Sequence, residues 1–229
     1  MVPVYKKVRL RFKKTGNAKF ISHLDLDRTM KTVLTRAKVK VEHTHGYNPR
    51  PYLVFSLPTS VGTESLCEFL DIKVPEDTDI SLIPEALNRN LPPDIRVLEA
   101  YIPESDFKEI KYAEYDITVI SPVLSEELAE KTEALFKAPV IIEKRTKKTE
   151  SGFMDCDITP NIYRLTAKYS DGKMLINTLV SAENATYMNP ENVIKALDKY
   201  LDLDLSDPAT CLYTVMRVAV YTNEKVNFM

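Results

Sequence analysis

The chain has 229 residues, 44% of them apolar, and a formal net charge of -2. Such a length fits one large or two small domains with ordinary cores. No apolar run approaches the roughly 20 residues that a membrane span needs, and the opening MVPVYKKVRLRF lacks the apolar centre of a signal peptide. A cytoplasmic protein without membrane contact is expected.

Cysteine and glycine usage exclude further classes. Cys67, Cys156 and Cys211 lie far apart and never in a C-x-x-C pair, which argues against a disulfide framework or a cysteine-rich zinc site. The thiolate triplet that holds a radical-SAM iron–sulfur cluster is also missing. Five glycines leave little for a phosphate-cradling loop, and no P-loop, dinucleotide or nucleophile-elbow pattern occurs. Nucleotide-dependent and triad-type enzymes are disfavoured, and no cofactor is expected.

The small net charge hides an asymmetry. Residues 1–60 hold thirteen Lys and Arg against Asp25, Asp27 and Glu42, whereas residues 61–229 hold eighteen against thirty acids. A basic N-terminal block points to a polyanionic partner such as RNA, and the alternative is that the two blocks neutralise each other.

Along the chain, KKVRLRFKK alternates, with Val8, Leu10 and Phe12 on one face of a strand and Lys7, Arg9, Arg11 and Lys13 on the other. Ser22 then precedes Leu26, Met30, Val33, Leu34 and Ala37 at helical spacing. With Asp25 three residues on, this predicts a capped helix from His23 to about Ala37. VKVEH and YLVFSL read as strands around the irregular THGYNPRP. LCEFLDIKV reads as a strand with Leu66, Leu70, Ile72 and Val74 on one face and Cys67, Phe69, Asp71 and Lys73 on the other. SLIPEALNRNL is a short helix and IRVLEAYI a closing strand.

The order β-α-β-β-α-β over residues 1–103 is that of a ferredoxin-like unit. It recurs loosely over 110–229, in YAEYDITVI, a helix capped by Ser125, the strands PVIIEKRTKK, GFMDCDIT, IYRLTAKYS and KMLINTLV, a helix with Asn189 at its N-cap and Pro190 at N1, and CLYTVMRVAVYT. The expected fold class is α+β, two ferredoxin-like (βαββαβ) units in tandem, the second degenerate with an extra hairpin.

In such a unit the helices cover one sheet face. Lys7, Arg9, Arg11 and Lys13 would line the open face, with Phe69 as a stacking platform, and the alternative is that the second domain covers this face or that Asp71 and Glu99 neutralise the arginines. His23, in the first helical turn, is a candidate base or metal ligand or, alternatively, a half-buried side chain turned toward the sheet edge and bonded to the backbone. His43 and His45 in an extended segment are candidates to share a metal with His23 or Cys67, and Asp155 and Asp157 form a D-x-D that either holds a cation or pairs with Lys144 to Lys148.

RLRFKKTGNAKFISHLDLDRTM, LTRAKV and HGYNPRPYLVFSLPTSVGTES resemble the radical-SAM-linked family of uncharacterised bacterial proteins, whose members open with R-x-R-F-x-K-x-G, F-I-S-H-L-D and G-[FY]-N-P-x-P. The likeness continues through EFLDI, KRTKKTESGFMDCDITPNIYRL and MRVAVY. By motif position it singles out Arg9, Arg11, Phe12, Gly16, Ser22, His23, Asp25, Arg28, Gly46, Tyr47, Asn48, Pro49, Pro51, Asp157 and Arg217. Asp27 stands where relatives carry an apolar residue.

The resemblance implies a radical-SAM enzyme, encoded nearby, as partner, and no established reaction. Together with the basic block it makes a non-catalytic accessory to RNA or ribosome-related modification the leading expectation. RNA (tRNA or rRNA) would contact Lys7, Arg9, Arg11, Lys13, Arg28, Tyr47, Asn48, Arg50 and Phe69. The alternatives are a His23-dependent RNA-processing or metal-dependent enzyme and a protein–protein adaptor.

Overall fold

The computed structural model describes residues 4–146, 152–203, 205, 211–223 and 226–228. They form two compact units, the first running to Glu109 and including Phe228, the second from Ile110 to Asn227. The architecture is mixed α and β, and no described helix is long and apolar enough to cross a membrane.

The first unit is built around β1 (Tyr5–Lys14). Its even-numbered apolar side chains, Val8, Leu10 and Phe12, are fully buried, as the period-2 pattern requires. Helix α1 (His23–Arg36) starts where the sequence predicts: Ser22 Oγ accepts from the Asp25 amide at 3.2 Å and donates to Asp25 Oδ2 at 2.7 Å. This hydroxyl bond also holds the Asp25 carboxyl below its usual range, with the Arg28 cation adding to it. Leu26, Met30, Val33 and Leu34 turn inward, and each such burial contributes about 1.5–3 kcal/mol. Ser22→Ala is expected to cost about 1 kcal/mol, read as a lower urea midpoint at unchanged slope.

Strands β2 (Leu53–Ser56) and β3 (Thr63–Pro75) follow, then α2 (Ile83–Asn88), entered through a 3-10 turn at Ile80–Leu82, and β4 (Ile95–Tyr101). All pairings are antiparallel, in the order β4-β1-β3-β2. One sheet face packs against the helices through Leu70, Ile72, Val74, Leu87 and Ile95. Two details depart from the sequence reading. VKVEH forms no strand, only a bridge from His43 to Pro51, where Pro49 and Pro51 supply no backbone donor beside it. Leu66, expected on the core face, is 37% exposed.

The second unit contains β5 (Tyr112–Ile120), α3 (Glu126–Leu135), β6 (Ile141–Arg145), β7 (Phe153–Asp157), β8 (Ile162–Ser170), β9 (Lys173–Ser181), α4 (Glu191–Leu201) and β10 (Leu212–Tyr221). Its main sheet has the order β10-β5-β9-β8, all antiparallel, while β6 and β7 pair only with each other. Ser125 caps α3 by accepting from the Leu128 amide. The β8–β9 turn places Asp171 and Gly172 at φ of 52° and 74°, the left-handed pair that a two-residue hairpin needs. Helix α4 begins one residue later than the sequence predicts. Pro190 is the cap, and Asn189 Oδ1 accepts from the Glu191 amide at 3.1 Å.

Candidate nucleic-acid interface

The sheet face of the first unit that turns away from the helices is not an open basic surface. The antiparallel register sets Arg9 opposite Asp71 on β3 and Tyr101 on β4. Arg9 Nε and Nη2 donate to the two Asp71 oxygens at 2.7 and 3.0 Å, a bidentate pair. The guanidinium also lies 4.2 Å from the Phe107 ring centroid and 4.8 Å from that of Phe228. Phe69 meets Phe228 edge-on at 5.1 Å. Arg9 is consequently 0% exposed and Phe69 2%, so neither is available to stack on or neutralise a nucleic acid in this arrangement.

Two of their neighbours on the strand, Lys7 and Arg11, are compensated. Lys7 lies 3.1 Å from Asp71 and 3.6 Å from Asp106, and Arg11 Nε donates to Glu99 Oε1. Lys13 is half-buried. A cavity of about 400 Å³ remains beside Lys7, lined also by Tyr52, Lys73, Phe107 and Lys108, yet Lys73 is held by Glu42 and Lys108 by Asp106. The opposite strand adds a buried hydroxyl without a partner, Tyr101 Oη.

Burial pushes the Tyr101 phenol up to about 12, and in the second unit burial, with the Glu191 carboxylate beside it, does the same to Tyr213. A phenol whose folded pKa is raised contributes stability that is whole below the unfolded value of 10 and is lost as pH rises toward 12. In an absorbance titration the late step near pH 12 is expected to shrink by one tyrosine in Tyr101→Phe and again in the double variant with Tyr213→Phe.

His23 is exposed, not half-buried, and its ring meets Phe55 of β2 edge-on at 5.1 Å. It turns toward the sheet edge as expected, but its contact is aromatic, and among the described residues no carboxylate orients it. His43 Nδ1 lies 3.0 Å from the Val41 carbonyl. Among the described residues no three His, Cys, Asp or Glu side chains gather around a common centre. Asp157 Oδ1 accepts from the Thr159 and Val140 amides at 3.0 and 3.2 Å, bonds that hold its carboxyl below the usual range. It serves as a turn cap, and the lysines 147 and 148 proposed to face the D-x-D lie outside the described residues. Arg217 is buried in β10.

A group of exposed cations without a carboxylate partner among the described residues lies on the helix side. Arg36 ends α1, Lys38 and Lys40 follow it, and all three are exposed, as is Arg50 across the loop. None lies within 4 Å of a carboxylate among the described residues. Two adjoining cavities, of about 380 and 1180 Å³, share Thr35 and Pro51 on their walls. The smaller adds Lys31 and Arg36, and the larger adds Lys38, Lys40 and His43 at the base of the GYNPRP loop together with the acids Glu76, Asp77 and Asp79.

That loop is closed below by Thr44 N donating to the Arg50 carbonyl at 2.8 Å and Arg50 N to Thr44 Oγ1 at 3.1 Å. Above this base Tyr47 is entirely exposed, with Asn48 exposed beside it. Arg28, 75% exposed, lies further up the same helix and 3.3 Å from Asp25. The sequence reading names Arg28, Tyr47, Asn48 and Arg50 among the candidate RNA contacts and does not name Arg36, Lys38 and Lys40.

Comparison with known families matches residues 7–190 to the model described as "Uncharacterized protein conserved in bacteria (DUF2344)". The chain belongs to this family. No curated protein matches it. Among solved structures it is similar to a chain of a Cbf5-Nop10-Gar1 complex, with 10% identity and a TM-score of 0.43 over 93% of this chain. This chain spans about half (48%) of that one. It is also similar to an unknown protein from Galdieria sulphuraria, with 13% identity and a TM-score of 0.27 over 94% of this chain and 99% of the other. A third likeness is to a putative glycine cleavage system transcriptional repressor, with 9% identity and a TM-score of 0.25 over 93% and 99%.

Proposed function

We propose that this protein is a non-catalytic, RNA-associated accessory of a cytoplasmic radical-SAM enzyme acting in RNA or ribosome-related modification. The observation that carries the RNA part is the helix-side patch, where Arg36, Lys38, Lys40 and Arg50 lack acidic partners and surround a loop that exposes the whole Tyr47 ring. Uncompensated cations supply the sequence-independent attraction to phosphates, and an exposed ring beside them offers a base a stacking surface. The radical-SAM part rests on the F-I-S-H-L-D and G-Y-N-P-R-P signatures.

The same strand order supports reading the chain as two ferredoxin-like units in tandem. Numbering β5, β8, β9 and β10 one to four turns β10-β5-β9-β8 into 4-1-3-2, which is also the order of β4-β1-β3-β2. Strands β6 and β7 are then the extra hairpin.

Mobility shift with tRNA and ribosomal RNA fragments at two salt concentrations tests the reading. Binding that weakens steeply with salt is expected, and no binding at low salt overturns it. Co-purification of the native protein with a protein alone, free of RNA, favours the adaptor reading instead.

A further inference from the structure

In the second unit α3 packs on one face of the β10-β5-β9-β8 sheet. Ala113, Ile117 and Val119 of β5 and Met174 and Ile176 of β9 are buried on that face, and Thr132 Oγ1 of α3 donates to the Met174 sulfur at 3.4 Å. Period-2 alternation sends the intervening side chains to the other face. There the register sets Leu212, Ile120 and Lys173 side by side, with Thr214, Thr118, Leu175 and Lys168 in the next row. Leu212, Ile120 and Leu175 are 57%, 43% and 44% exposed, and Thr214, Lys168 and Lys173 are exposed with them.

Charge on this face is arranged around Leu175. Lys168 of β8 is its direct cross-strand neighbour, and Asp116 of β5 lies diagonally across on its other side. Among the described residues no carboxylate lies within 4 Å of Lys168, and no cation lies within that distance of the exposed Asp116, whose Oδ1 accepts from the Asn177 amide at 2.8 Å. Little here suits a nucleic acid. The centre of the face is aliphatic, Arg164 is held by Glu114, and the nearest rings, Tyr112 and Tyr163, pack edge-on against each other at 4.8 Å.

We infer that this face binds a second copy of the chain, forming a symmetric dimer. A twofold axis lying in the plane between the two faces, passing between Leu212 and Ile120 and beside Leu175, sets Leu212 of each copy on Ile120 of the other. The same operation brings Leu175 onto Leu175 and, twice, Asp116 onto Lys168. The acid and the lysine that lack ionic partners in one chain thereby meet their opposites, and each exposed aliphatic side chain meets another. Four strands about 4.8 Å apart and three rows about 6.8 Å apart cover roughly 400 Å² per copy, about half of the ~800 Å² of a standard interface, so the dimer is weak. The face shares no residue with the helix-side RNA patch of the first unit, and the two readings fail separately.

Sedimentation equilibrium of the full chain from about 10 μM to about 1 mM tests it, a range that brackets weak association. The average mass is expected to rise toward twice that of the chain with concentration. Leu175→Glu, at an exposed position, is expected to stay monomeric throughout. Lys168→Glu and Asp116→Lys are each expected to weaken self-association by about tenfold or more, because like charges then face each other at both contacts. An equimolar mixture of these two variants is expected to dimerise as the parent does, since the mixed pair restores opposite charges twice. The inference is overturned if the parent is monomeric at every concentration, if Leu175→Glu associates like the parent, or if the mixture stays monomeric. A monomeric parent whose RNA binding is lost in Lys168→Glu also overturns it and places RNA on this face. Loss of RNA binding in Arg36→Glu alone bears on the helix-side patch.

Discussion

Asp71→Ala is expected to destabilise the first unit by about 3–5 kcal/mol, the cost of leaving one member of a buried ion pair unpaired. Arg9 has no exposed surface and gives two of its guanidinium nitrogens to this carboxylate. Without Asp71 its charge keeps, among other contacts, the faces of Phe107 and Phe228 and the 3.5 Å bond from Nη1 to Ser105 Oγ, and a desolvated cation–π contact of about 2 kcal/mol does not replace a bidentate carboxylate. Lys7 loses its 3.1 Å partner in the same step, but its side chain is 43% exposed and water takes over.

Two comparisons isolate the cause. Glu99→Ala removes the partner of the part-exposed Arg11 and is expected to cost about 0.2–1 kcal/mol. Arg9→Met with Asp71→Leu replaces both charges by apolar groups, and is expected to recover the loss or to exceed the parent. Urea midpoints followed by circular dichroism distinguish these outcomes. An Asp71→Ala midpoint as mild as that of Glu99→Ala would show that water reaches Arg9.

The fate of Arg9 also marks the limit of what the sequence discloses. Alternation in KKVRLRFKK correctly separates Val8, Leu10 and Phe12 from the cations, because side-chain period is a property of the strand itself. It says nothing about what lies over the second face. The groups that cover Arg9 and Phe69, namely Phe107 and Phe228, come from far along the chain, and no local pattern links them to β1.

The neutralising partners were legible: Asp71 and Glu99 were weighed as such, and the antiparallel register sets them across from Arg9 and Arg11. Local chemistry carried the start of α1, since a serine with an aspartate three residues on is a complete cap. It failed for VKVEH, where only isolated bonds form, Glu42 donating to the Lys73 carbonyl and accepting from the Tyr52 amide, and at α4, where the chain places Pro190 at the cap and leaves Asn189 outside it. In the candidate interface, the loop residues Tyr47, Asn48 and Arg50 were readable as irregular and polar. Arg36, Lys38 and Lys40 were not, because being unpaired is a three-dimensional property of a cation.

Reversing charge at Arg36, Lys38 and Lys40 together is expected to weaken RNA binding by roughly a hundredfold or more near physiological salt, whereas Lys7→Ala and Arg11→Ala are expected to leave it nearly unchanged. The contrast follows from compensation. A cation already bound to a carboxylate must break that pair before it neutralises a phosphate, and Lys7 and Arg11 are held by Asp71, Asp106 and Glu99. Arg36, Lys38 and Lys40 have no such pair to break.

Each phosphate contact to a single strand adds about 0.7 to the slope of log affinity against log salt, so neutral replacement of all three removes about 2 from it. Tyr47→Ala acts through a different term. Losing a stacked base costs about 1–3 kcal/mol but releases no counterion, so affinity falls with an unchanged slope. Mobility shifts at several salt concentrations measure both quantities. A loss in Lys7→Ala with none in Arg36→Ala would place RNA on the sheet side and remove the helix-side patch from the interface.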